Sequence, residues 1–574
     1  MAHRLARCLG AVLGISLLGA CASIGSHPGA GTNAGETERA ADLIVTGGRV
    51  YVGSTGAFEE ALAIRGARIV RVGSRTDVEG LRGPLTVVLD ARGGSVVPGF
   101  NDAHVHLLGA GLSLGNVQLD DGPFDRIASR IRAFAAAHPE RPWIVGSGWY
   151  YDSFPGKMPT RQQLDALVPD RPAYLTADDG HTAWVNTRAL QLAGITKDTP
   201  DPRNGIIVRD PVTGEPTGVL EETAKLAVAR LLPVASRSER LDAIREAIRE
   251  AQRVGVTSVQ TTNGTAEEVA LYDELRGSGD LGVRVLVSLW TTPDVSESDA
   301  DRLDALRTAH RDDPIVRVSA VKIMLDGVVE AHTAAMLAPY ADRDTSGTPR
   351  YTAAELDRAV TLLDGRGWQV WTHAIGDRAV RMALDAYANA ARANALPARD
   401  RRHRIEHVET LDPQDIPRFA ALGVIASQQP IHSNPAPSQL PAWAEKIGPE
   451  RATRGWAYAT LLRSGAYLAF GTDWPVTPLD PRLGLHVATT RTAPDGYPEG
   501  GWLPGERLTL GQAIDAYTTG SAYASFDEQQ KGRLAPGMLA DVVVLTTDVF
   551  APGAKVLDTS VAFTIFNGKV VFQR

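Results

Sequence analysis

Cysteine is nearly absent. There are two in 574 residues, Cys8 and Cys21. Beyond position 21 neither a disulfide framework nor a cysteine-built metal site can exist, so any metal there must rest on His, Asp, Glu or a modified Lys. A surplus of basic charge is also missing. The 59 Lys and Arg face 67 Asp and Glu, for a net charge of −8 and a pI near 5.9. That excludes nucleic-acid binding through a basic face. The apolar run Leu9–Ala20 is too short to cross a bilayer. With 44% hydrophobic and 22% charged residues, the composition is that of a globular protein and not of a disordered one. A chain of this length buries most of its apolar surface without covalent staples.

Arg4 and Arg7 precede that apolar run, as in the n- and h-regions of a secretory signal over residues 1–21. Leu18-Gly19-Ala20 before Cys21 resembles the lipobox of a bacterial lipoprotein. The resemblance implies cleavage before Cys21 and a lipid anchor on it. With Ala22 following, it implies an extracytoplasmic location on the outer membrane, facing the periplasm. A simply cleaved signal with an incidental cysteine is the alternative. Residues 22–40 are Gly- and Ser-rich without apolar period and read as a flexible linker.

Short strand patterns punctuated by glycine follow at Leu43–Val45, Arg49–Tyr51, Ala61–Ile64, Ile69–Val72 and Val87–Leu89. The same texture returns at Asp541–Leu545, and at Phe563–Phe566 and Lys569–Phe572 on either side of Asn567-Gly568, a hairpin turn signal. One β-sandwich built from both ends, residues 41–95 and 526–574, is the simplest account; two unrelated β caps are the alternative.

Between them, residues 96–525 alternate apolar runs with helical periods. Eight strands are expected: Val96–Asn101, Thr257–Thr261, Val283–Leu289, Val318–Leu325, Gln369–Thr372, Arg404–Glu406, Val424–Gln428 and Tyr467–Thr472. Strand–helix alternation predicts a parallel sheet, and eight units predict an α/β fold of the (β/α)8 barrel type. A long interval after the first strand, about 107–250, is too apolar for a loop and reads as a subdomain over the barrel mouth.

Ionisable residues recur at the C-terminal ends of these strands, where barrel enzymes place their chemistry. His104 and His106 lie two apart after strand one, a spacing that turns both rings to one side. His373 ends strand five, His407 strand six and Asp473 strand eight, while Lys322 lies inside strand four. A buried lysine is costly unless its charge is paired or removed. Each histidine alone could be a hydrogen-bonded core residue; together they point to a metal centre.

The segments VVPGFNDAHVHLLGAG, VKIMLDG, THAIGDRAV, RIEHVE, FGTDWPV and GRLAPGMLADVVVL resemble the amidohydrolase superfamily over nearly the whole chain after the linker. ADDGHTAWVN and GEPTGVLEE resemble its amidohydrolase-3 branch, which includes N-substituted formamide deformylase-like enzymes. The resemblance implies two divalent metal ions, usually zinc. His104 and His106 would hold the first, His373 and His407 the second, and a carboxylated Lys322 would bridge them. Asp473 would bind the first metal and act catalytically as proton shuttle. The alternative for Lys322 is a structural ion pair beside a mononuclear site. The implied reaction is hydrolysis of a non-peptide C–N bond in an amide, N-acyl or N-formyl group. Water bound to metal drops in pKa from about 15.7 to about 7 and can attack a polarised carbonyl.

Metal histidines commonly donate their other ring N–H to a carboxylate, and Asp102 and Asp377 are near enough in sequence to serve. His181, Asp326 and His332 are candidate substrate contacts, and Gln428 and His432 candidate pocket residues. His138, His310, His403 and His486 read as solvated. Trp149, Tyr150 and Tyr151 are either an apolar substrate wall or core packing. The expected partner is a small amide-type molecule, with no nucleic acid; self-association into a homo-oligomer is left open. Two other functions stay open: a heterocycle deaminase with one metal, and a ligand-binding surface lipoprotein without catalysis, against which the complete ligand set argues.

Overall fold

A computed structural model describes residues 40–574, apart from 54–55, 120–121, 179, 397 and 438–439. The leader and Cys21 anchor expected over residues 1–21, and all of the expected linker except Ala40, lie outside the described residues. Among the described residues no helix is long and apolar enough to cross a membrane.

Eight parallel strands form the central sheet: Phe100–Val105, Val256–Gly264, Arg284–Trp290, Val316–Met324, Gln369–Ala374, Arg404–His407, Ile425–Gln428 and Leu468–Phe470, hydrogen-bonded in that order. A parallel bridge between Val105 and Trp474 joins the last strand's extension to the first, closing the ring. Helices cover the outside. The helix Arg237–Arg253 starts at a Ser236–Glu239 capping box and buries Leu241, Ile244, Ala247, Ile248 and Ala251, one face at helical spacing. Seven expected strands shift by a few residues at most. The first is corrected: Val96–Asn101 is two strands. Ser95–Pro98 pairs with Arg49–Tyr51 and Val542–Leu545, and the barrel strand begins only at Phe100. A continuous apolar run hid the switch between sheets.

The Ser95–Pro98 strand belongs to a six-stranded sheet that combines strands from both ends of the chain. Its two faces follow the period of two. Val96, Val542 and Val544 pack with Leu43, Val45, Leu62 and Ile64 of a second, four-stranded sheet, making the sandwich. Val97, Val543 and Leu545 turn the other way into the barrel's own core. Asn567 and Gly568 both take positive φ (51° and 77°) in the hairpin between Val561–Phe566 and Lys569–Gln573, as the Asn-Gly pair predicts. The insertion carries its own six-stranded sheet between Val117 and Glu222, with helices packed on it. Trp149 is buried in its core against Phe154 and Trp184, which settles that residue as core packing.

Arg284, at the start of barrel strand three, reaches into the sandwich. Its Nε and Nη2 bind Asp541 at 2.7 and 3.1 Å, and Nη2 also meets Asn567 Oδ1 at 3.1 Å. Both charged partners are buried. Removing one member of a buried pair leaves the other charge uncompensated. Asp541→Ala is therefore expected to lower stability by about 3 kcal/mol or more. Urea unfolding followed by tryptophan fluorescence measures it; a loss below about 1 kcal/mol would deny the pair that role.

Candidate metal centre

The ring closure sets the geometry. The Asp473 amide donates to His104 O at 2.7 Å and the His106 amide to Trp474 O at 2.8 Å, so the end of strand eight lies directly on the end of strand one. Asp102 locks this contact. Its Oδ1 accepts from the amides of His104 (3.1 Å) and Thr472 (3.0 Å), and its Oδ2 accepts from the Thr472 hydroxyl at 2.6 Å. Burial pushes the Asp102 carboxyl up to about 7. Gly471 is required here: a Cβ would sit 2.5 Å from His104 N and 2.8 Å from Asp102 Oδ1.

Asp473 thereby meets both leading histidines. Its Oδ1 lies 3.4 Å from His104 Nε2 and 3.1 Å from His106 Nε2. The ring of His104 is 4.9 Å from that of His407, which is 4.4 Å from His373. Lys322 Nζ lies 3.5 Å from His104 Nε2. The six residues singled out from the sequence thus share one buried locus at the C-terminal end of the barrel.

Glu406 and His407 are consecutive, and a regular strand would point them to opposite faces. Both nevertheless face His104. His407 (φ 76°) and Val408 (φ 50°) adopt left-handed backbone, which breaks the alternation, and Asp473 does the same at φ 58°. Such conformations are costly for residues with a Cβ and gather at functional sites.

Sequence reading missed the carboxylate that orients His104. Glu406 Oε2 accepts from His104 Nδ1 at 2.6 Å, which leaves the Nε2 lone pair directed at the centre. Arg404 holds Glu406, with Nε to Oε1 at 2.9 Å and Nη2 to Oε2 at 3.2 Å. The guanidinium itself stacks 3.8 Å over Trp371 and binds Gln260 Oε1 at 2.6 Å. The strand period could have found this pair, since Arg404 and Glu406 are two apart and face the barrel interior together. Asp102 and Asp377, the expected carboxylate partners, do other work. Asp102 binds backbone at the seam, and Asp377 opens the helix Asp377–Ala393 and accepts from Leu337 N at 2.8 Å.

The donor set suits a cation. One ligand atom each from His104, His407 and Asp473 lies within 4.8 Å of the others. His407 Nδ1 and Asp473 Oδ1 are buried without a hydrogen-bond partner, although ring nitrogens surround the carboxylate. Lone pairs converging without shared protons are what a divalent ion satisfies. Burial, with Lys322 next, pushes His104 down to about 4, and burial holds His373 and His407 well below the usual imidazole range, so all three present neutral nitrogens. Burial raises Asp473, but His104, His106 and His407 outweigh it and keep the carboxylate ionised. Burial lowers Lys322 to about 8, which makes its ammonium easier to deprotonate.

The lesser candidates separate. Asp326 is fully buried and accepts from the amides of Ala335 (2.9 Å), Ile375 (3.1 Å) and Gly376 (2.9 Å), which shapes the loops beside His373, and its Oδ1 lies 3.6 Å from His373 Nε2. His332 pairs with Asp342 at 2.9 Å and meets Tyr340 edge-on. His181, on the insertion, pairs through Nδ1 with Glu222 at 2.8 Å, and Glu222 also accepts from Thr333 Oγ1 at 3.3 Å, tying the insertion to the loop after strand four. His432 reaches the centre: it stacks on His407 at 5.9 Å, and its buried Nε2, without a hydrogen-bond partner, lies 3.8 Å from Asp473 Oδ2. Gln428 Oε1 is buried and unbonded nearby. His310 and His403 are buried and not solvated: His310 bonds Asp273, and His403 bridges Val370 N and Asp364.

Comparison with known proteins agrees with this geometry. A sequence model of the amidohydrolase family, Amidohydro_3, matches residues 87–572. The chain is 32% identical to the Arabidopsis thaliana protein LONG AFTER FAR-RED 3, covering 93% of this chain and 92% of that one. It is 26% identical to N-substituted formamide deformylase of Arthrobacter pascens, covering 93% and 98%. Among solved structures, an uncharacterised metal-dependent hydrolase from Pyrococcus horikoshii OT3 superposes with a TM-score of 0.68 at 26% identity, covering 87% of this chain and 96% of that one.

Removing the Glu406 charge is expected to leave His104 free to rotate or change tautomer. Glu406→Gln should weaken zinc binding by about 10- to 100-fold in a chelator competition. An unchanged affinity would show that Glu406 does not orient the ligand.

Proposed function

The chain belongs to the amidohydrolase family, and on that premise we propose that it hydrolyses a non-peptide C–N bond in a small amide, N-acyl or N-formyl compound. The observation that carries the reading is Asp473: a buried, ionised carboxylate whose Oδ1 faces the His104 and His106 nitrogens while its Oδ2 faces His432. The likeness to a formamide deformylase over nearly the full chain supports an amide-type substrate.

In this proposal His104, His106, His373, His407 and Asp473 would hold two divalent ions, zinc by the nature of the donors, and a carboxylated Lys322 would add oxygen ligands. Bound there, the ions would acidify water and polarise a carbonyl. The protein's own residues do the rest. Glu406 and Arg404 hold His104 in one tautomer. The buried setting excludes bulk water. Asp473 takes the proton that water releases as its oxygen bonds to the carbonyl carbon, then delivers it to the leaving nitrogen as the C–N bond breaks, a base becoming an acid. Specificity falls to the insertion, whose Asp178 carboxylate acts electrostatically on His432 and whose His181–Glu222 pair meets the loop after strand four. The Cys21 lipid anchor, with outer-membrane attachment facing the periplasm, belongs to the same proposal and rests on the leader sequence alone.

The test is a screen of the zinc-loaded protein against N-acyl amino acids, formamides, aryl amides and cyclic ureas. At least one class should be hydrolysed, and Asp473→Asn should lose about 100-fold or more in kcat/KM. Equal hydrolysis by the variant would overturn the mechanism. Metal analysis should return two ions per chain; one ion with an unmodified Lys322 would favour a deaminase.

A further inference from the structure

At the opposite end of the barrel, below strands four and five, lies a cavity of about 300 Å³ lined by five arginines, among them Arg307, Arg311, Arg399 and Arg401. Its lining carboxylate is Asp400, which Arg402 Nε already holds at 2.6 Å. Arg366, the fifth, is taken up by Glu297 and by Asp301 and Asp304 at 2.7 and 2.8 Å, whereas the acids near Arg307, Arg399 and Arg401 account for only part of each guanidinium. Arg307 gives Nη2 to Asp304 at 2.7 Å, and Arg401 gives Nε to Asp364 at 2.9 Å. Arg399 gives Nη2 to Asp364.

What remains converges on one point. Gly367 has no side chain and a φ of +83°, and over its open face Arg399 Nη1 and Arg307 Nη1 lie 3.6 and 3.7 Å from where a Cβ would be. Arg307 Nε and Ser319 Oγ are buried without hydrogen-bond partners. Arg311 makes no side-chain hydrogen bond or ion pair among the described residues. Two guanidiniums brought side by side repel unless an anion separates them. Burial, and the like charges of Arg311, Arg399 and Arg366, pull the Arg307 guanidinium below its ordinary range despite Asp304.

We propose that this hollow binds a phosphate-type oxyanion between Arg307 and Arg399, with Arg311 at the entrance and Ser319 Oγ as a further donor. The planar forks of guanidinium groups match the oxygens of such a dianion, and charge-assisted bonds to it are the strong kind. Ser319 lies on the strand that carries Lys322, and Gln369, also lining the cavity, opens the strand that carries His373. An anion here would tie those two strands together from below without touching the metal centre.

Thermal melting of the full chain in inorganic phosphate, against sodium chloride at equal ionic strength, tests this. The wild type should show a saturable rise in Tm with phosphate. The concentration for half the effect should increase about tenfold or more in Arg307→Gln and Arg399→Gln, and measurably in Arg311→Ala. Arg311→Ala breaks no side-chain hydrogen bond or ion pair among the described residues and decides the matter if the other two do not fold. A phosphate response that is unchanged in the variants would place the anion elsewhere, the metal centre included, and overturn the proposal. So would a wild type that responds to phosphate no more than to chloride.

Discussion

The seam where strand eight meets strand one governs the centre. Two backbone hydrogen bonds and the three donors gathered by Asp102 fix Asp473 against His104 and His106. Those residues are more than 360 positions apart in the chain, and only closure of the ring makes them neighbours. The glycine at 471 permits the approach, and Asp102 uses both oxygens to keep it. A carboxylate used this way cannot also orient a histidine, which is why that task falls to another strand.

The layer beneath the centre handles charge in a water-poor interior. Arg404 and Glu406 are both fully buried. Such a pair is tolerated only when its remaining donors and acceptors find partners. They do: Gln260, the Ala103 carbonyl, Ser427 and His104 complete the shell. With Arg404 as the direct partner of Glu406, Lys322 Nζ lies 3.5 Å from His104 Nε2, and burial lowers it to about 8. Strain at His407, Val408 and Asp473 is the local cost of aiming several side chains inward from adjacent positions.

Much of this was legible in the sequence because barrel chemistry repeats a simple grammar: an apolar strand, then an ionisable residue. His104, His106, His373, His407 and Asp473 obey it, Lys322 lies within its strand, and the six are found together. Period-two patterning and the Asn567-Gly568 turn likewise announced the shared sandwich. The failures have physical reasons. The apolar residues on both sides of Pro98-Gly99 read as one strand, although that pair sits at the passage from one sheet to the other. Asp102 and Asp377 were judged by nearness in sequence, whereas hydrogen-bond partners at the centre are set by nearness across the ring. His403 lies in a polar stretch, but the turn folds back under strand five and buries it.

The sandwich sheet carries a consequence for how the molecule is made. Val96 pairs with Val544, and Asp541 with Arg284, so the first strands of the folded body wait for the last ones. During synthesis the N-terminal β segments leave the ribosome with an open edge that no neighbouring segment can cover. They stay uncovered until nearly the whole barrel has been translated. Contacts of such long range close slowly, and unpaired edges invite association with other nascent chains. A protein built on this plan relies on its barrel to hold early segments in reach until the final hairpin arrives.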